Sequence, residues 1–163
     1  MCFSIKKLIA TLSLASCAFS APCCQALVFY DDFNRPDNAA VGNKWSERSP
    51  LASSISAGSL RLTAQNPALT ENLVYRPKQE SPLDAEASVV FSCFGSTEPR
   101  LWVRLQGQDF RTGYTAYLSA SGWLSIARVK NGETVLLASV PAAHTPGMRY
   151  SLALRASGGN PEV

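Results

Sequence analysis

A single histidine, His144, stands among the 163 residues, and that scarcity excludes most imidazole chemistry. A Ser-His-Asp triad, a His-rich zinc site or a H-E-x-x-H metalloprotease needs well-placed imidazoles, and His144 lies in the turn-like Ala-His-Thr-Pro, where it reads as a solvated loop residue. Phosphate-cradling glycine motifs and C-x-x-C pairs are also missing, which removes nucleotide loops and dithiol or zinc pairs. Charge is sparse too, with 15 Lys and Arg against 12 Asp and Glu, so an electrostatic nucleic-acid surface has little behind it. Only residues 6–26 approach the apolar length of a membrane span, which excludes a polytopic membrane protein.

That segment carries the first positive signal. Lys6 and Lys7 precede the apolar run Leu8 to Ala15, and small residues follow, the order of a secretory signal. Cys24-Gln25-Ala26 fits ordinary cleavage, so residues 1–26 read as a signal peptide and 27–163 as the domain. Leu14-Ala15-Ser16-Cys17 resembles a lipobox, so lipidation at Cys17 is the competing reading. Either way the chain is expected to be secreted, periplasmic or surface-anchored. Cleavage after Ala26 leaves Cys93 as the lone thiol, buried in the strand pattern Val89 to Cys93; processing at Cys17 would allow Cys23 or Cys24 to reach it.

From Leu27 onward short alternating or β-branched runs recur between turn signals, and no stretch keeps a helical period. Ten strands are expected: 27–32, 53–56, 59–63, 72–76, 85–93, 100–106, 113–119, 123–130, 133–140 and 149–156. Such a series implies a sandwich or barrel. Asn131-Gly132 predicts a two-residue hairpin that pairs Lys130 with Glu133, Ile126 with Leu137 and Leu124 with Ser139. A three-residue loop, Ala120-Ser121-Gly122, pairs Leu118 with Leu124 and Ala116 with Ile126, keeping apolar residues on one side.

The opposite side then carries Tyr117, Trp123, Ser125 and Ala127. If Leu101, Val103 and Leu105 face the core, Trp102, Arg104 and Gln106 join that face. Rings that stack on sugar C–H faces beside a guanidinium and amides are what carbohydrate binding uses, so Trp102, Arg104, Tyr117 and Trp123 are the candidate ligand residues. The same residue types serve protein interfaces, which leaves a protein partner as the other reading of this face.

Phe29-Tyr-Asp-Asp-Phe-Asn-Arg-Pro-Asp followed by Val41-Gly-Asn-Lys-Trp45 resembles the opening of bacterial secreted domains of the concanavalin A-like lectin/glucanase (laminin G-like) superfamily. Leu101 to Gln106, Gly113 to Leu118 and Trp123 to Gly132 look like its central strands. The resemblance spans about Leu27 to Ala156. It implies a jelly-roll sandwich of two antiparallel sheets and a role in glycan recognition or as a non-catalytic accessory module. Relatives run on past the strand 149–156 to a last strand near the first, so the chain is expected to lack the final strands.

The glucanases of that superfamily use paired acids in an E-x-D-x-E strand, and the nearest match here is Asp84-Ala85-Glu86, with Pro82 where a third acid would stand. No catalytic residue is therefore assigned, and a glycoside hydrolase stays the alternative to a lectin-like module. Calcium is a conventional partner of such sandwiches; Asp31 and Asp32, with Asn34 and Asp37 nearby, are the candidate oxygen ligands, although a D-x-N turn explains Asp32 and Asn34 without a metal.

Overall fold

The computed structural model describes residues 2–11, 29–48, 52–63, 72–76, 85–94, 98–106 and 112–158; of residues 2–11 it describes the backbone. Among these residues every regular element but one short turn is a strand, and all pairings are antiparallel. In chain order they are β1 (Cys2–Thr11), β2 (Phe29–Asp31), β3 (Ser46–Glu47), β4 (Ser53–Ile55), β5 (Leu60–Thr63) and β6 (Val74–Tyr75). Then follow β7 (Ala85–Cys93), β8 (Arg100–Gln106), β9 (Thr112–Leu118), β10 (Trp123–Lys130), β11 (Glu133–Pro141) and β12 (Arg149–Ala156).

One sheet runs β12-β7-β1-β5-β4, with β2 paired to β1; a second is the meander β11-β10-β9-β8; β3 and β6 form a small ribbon. The alternation of β7 puts Ala87, Val89, Phe91 and Cys93 inside, where they meet Leu101 and Val103 of β8, Ala116 and Leu118 of β9, and Leu152 and Leu154 of β12. A second, smaller core gathers Phe33, Val41, Ile55 and Leu60. The fold is an all-β sandwich, as the strand pattern implied.

The sequence reading placed residues 1–26 outside the domain. In the structure Cys2–Thr11 lies between β7 and β5 and pairs with both. Cys17, Cys23, Cys24, Pro82 and Asp84 lie outside the described residues.

Turn chemistry sets the meander. Gly122 takes φ 83°, closing the three-residue loop, and Leu118 and Ala116 stand opposite Leu124 and Ile126 as expected. Asn131 and Gly132 take φ 51° and 87°, so Lys130 faces Glu133. Beyond Ala127 the register departs from expectation. Ile126 faces Ala138 and Leu124 faces Val140, because Leu137 is bulged out of the ladder. The bulge sorts side chains by polarity: Ser139 moves opposite Ser125, with the hydroxyls 2.9 Å apart, and Val140 takes the apolar place opposite Leu124.

Candidate functional site

The outer face of the meander can be read row by row, since directly opposed residues share a face. Arg100, Tyr117, Ser125 and Ser139 make one row across four strands, and Trp102, Thr115, Ala127 and Leu136 the next. Trp123 stands one step beyond, opposite Pro141. These positions alternate with the core residues Leu101, Val103, Ala116 and Leu118, which fixes them on the side away from the other sheet.

Three of the four expected ligand residues therefore share the face. Trp123 is 44% exposed, and Trp102 and Tyr117 are half-buried. The Arg100 guanidinium lies 4.5 Å from the Tyr117 ring centroid and 2.5 Å from Glu98, so one face of that ring is already covered. Of the two tryptophans, Trp123 is exposed and Trp102 half-buried. They are separated by about two strand spacings, some 10 Å, across the sheet and about 13 Å along it. Between them Thr115 is fully buried, and its hydroxyl oxygen has no hydrogen-bond partner.

Arg104 departs from the expected face. Two residues of β8, Arg104 and Leu105, oppose Gly113 alone, and Arg104 adopts φ 53°. This bulge breaks the alternation on which the expectation rested, leaves Leu105 only half-buried, and sends the Arg104 Nη2 to the carbonyl of Gly158 after β12, 3.1 Å away. A Cβ at position 113 would lie 3.0 Å from the Val103 carbonyl oxygen, so the close approach of β9 to the bulge requires glycine. Arg100 supplies the guanidinium that Arg104 was expected to bring. It was legible as the residue two before Trp102 on the same strand face.

Asp31 has a different occupation from the one its type suggested. Its Oδ1 accepts from the Phe33 amide at 2.8 Å and from Arg35 Nη1 at 2.7 Å; its Oδ2 accepts from Asn43 Nδ2 at 3.0 Å and Trp45 Nε1 at 2.8 Å. Four donors fill the lone-pair directions a cation would need. Burial pushes the Asp31 carboxyl up, yet the bonds from Arg35, Asn43, Phe33 and Trp45 outweigh it and hold the group below its ordinary 3.8. Asp32 accepts from the Asn34 amide at 3.0 Å, the turn expected of a D-x-N sequence. Among the described residues no group of three acidic, His or Cys side chains converges as a metal site would require.

His144 is a loop residue but not a solvated one. It is half-buried, with Nε2 2.8 Å from the sulfur of Cys93, which is fully buried and unpaired by any disulfide. Burial raises the Cys93 pKa, which favours the protonated thiol. The pair fastens the 142–148 connection over the end of β7. Glu86 is half-buried on β7, opposite Arg155 of β12, and so belongs to the sheet that does not carry the tryptophans.

No family model, curated protein or solved structure matches the chain. No helix among the described residues is long and apolar enough to cross a membrane.

Proposed function

We propose that this chain is a secreted, non-catalytic carbohydrate-binding domain of the concanavalin A-like type, processed after Ala26, with its site on the outer face of the β8–β11 meander. The observation that carries the reading is the pair of tryptophans, Trp102 and Trp123, set on one sheet face on either side of β9, with Thr115 and Ser125 buried between them. Flat apolar rings suit the C–H face of a saccharide ring. Their separation favours a glycan chain of several rings over a single sugar. Asp31 acts as a structural carboxylate, so the reading needs no calcium.

A panel of polysaccharides, screened with the purified full chain in calcium and in chelator, tests the proposal. Binding is expected to weaken at least about tenfold in Trp102→Ala and in Trp123→Ala, to be unchanged in Arg104→Ala, and to persist in chelator. Silence across the panel from a folded chain, or binding indifferent to both tryptophans, refutes it. Capture of a protein by the same face would replace it with the adhesion reading.

A further inference from the structure

The two sheets do not cover one another. The strands of the meander that face the other sheet are β8 and β9, which pack on β7 and β12, and β12 is the end strand of its sheet. Exposure rises row by row beyond that edge. Leu118 is buried, its neighbour Leu124 half-buried and Val140 53% exposed; Ala116 is buried, Ile126 38% exposed and Ala138 exposed; next come Arg128, exposed, and Val135, 46% exposed. The inner face of β10 and β11 is thus an apolar ledge two strands wide, bordered by the open edge of β12. It is the face opposite the tryptophans, so this inference goes beyond the glycan reading and does not depend on it.

We propose that the ledge is the interface of a two-fold homodimer in which two copies interlock. A step two strands wide is complementary to itself. Rotation about an axis parallel to the strands, through the middle of the ledge, lays β11 of the partner over β10 and brings the partner's outer edge beside β12. The rows then meet in register, and their chemistry matches: Ile126 lies over the small Ala138 of the partner, Leu124 over its Val140, and the aliphatic stem of Arg128 over its Val135. At the hairpin end, Lys130 lies over Glu133 of the partner, and Glu133 over its Lys130. No like charges oppose each other. The ledge measures about 10 Å by 26 Å. Its burial on both copies covers about 500 Å², and the edge contact at β12, formed twice, brings the total toward the roughly 1,000 Å² at which a specific interface begins. The symmetry is closed, which leaves both tryptophan faces free on opposite sides of the dimer.

Sedimentation equilibrium of the full chain, from about 1 to 100 µM, reads the oligomeric state. A discrete dimer is expected. Val140→Lys, at a half-exposed position that a lysine can occupy in the monomer, is expected to weaken association at least about a hundredfold with unchanged far-UV circular dichroism. Lys130→Glu is expected to weaken it about tenfold, and adding Glu133→Lys to restore it. A monomer throughout the range overturns the proposal. So does a dimer indifferent to Val140→Lys, a charge swap that fails to rescue, or open-ended assembly in place of a dimer.

Discussion

Removing the Asp31 carboxylate should cost more than any other single polar change in the second core. Its side chain is 3% exposed, while that of its ion-pair partner Arg35 is 26% exposed. In Asp31→Ala the guanidinium can turn to water and keeps its two bonds to the Val41 carbonyl. The Phe33 amide and the Trp45 indole N–H have no such escape, because Phe33 is fully buried at φ 56° and Trp45 packs on Phe29 and Phe33. Stranding these two donors, at about 1–3 kcal/mol each, costs about 2–5 kcal/mol, which for a chain of this size lowers Tm by about 5–15 °C. Asp31→Asn keeps one acceptor oxygen but turns an N–H₂ toward donors, and should cost about 2 kcal/mol. Urea unfolding followed by tryptophan fluorescence measures both. The pH dependence has a fixed sign: with the folded pKa below 3.8, the carboxylate's contribution is complete above that value and is lost as pH falls through the folded pKa. The gap between wild type and Asp31→Asn should therefore hold from pH 7 to about 5 and narrow below about 4. An Asp31→Ala protein within about 1 kcal/mol of wild type at pH 7, or a gap that widens in acid, would refute the reasoning.

Gly113→Ala should destabilise by about 1–3 kcal/mol, since the added carbon meets backbone atoms of Val103, Arg104 and Leu105 and no flexible side chain; an unchanged Tm would show that the β8 bulge gives way freely. The proposed processing after Ala26 would remove the strand that separates β7 from β5, so amides of those two strands should exchange faster in a chain starting at Leu27 than in a cleavage-blocked full chain. Hydrogen exchange by mass spectrometry reads this, and equal protection in the two forms would mean that the slot is closed in some other way.

The strands of the main sandwich were legible because each solves the same problem of burying alternate side chains. The expected limits of 85–93, 100–106, 123–130 and 149–156 coincide with the observed strands, and in 85–93 and 149–156 alternate residues carry the core positions. What alternation cannot show is where a strand skips a residue. The Leu137 bulge follows from a competition between two registers, and only the pairing of Ser125 with Ser139 and of Leu124 with Val140 decides it. Nor does a local pattern reveal a pairing partner distant in sequence. Residues 2–11 have the apolar content of both a secretory signal and a central strand, and their place between β5 and β7 depends on segments 50 to 90 residues away.

The same limit explains the site. Counting by twos along β8 from Leu101 puts Arg104 beside Trp102's face, and it would be there if Gly113 had a side chain that held β9 at ordinary distance. Glycine lets the strands close over the bulge, Arg104 turns to the Gly158 carbonyl, and the face loses the one cation expected to bind freely. The remaining guanidinium, Arg100, is held between Glu98 and the Tyr117 ring. On the proposed reading, what is left for a ligand is uncharged: the exposed Trp123 and the half-buried Trp102. For the proposed glycan site that balance argues for a neutral saccharide over an acidic one, because an acidic chain would have to compete with Glu98 for Arg100, the counter-charge among the described residues of this face.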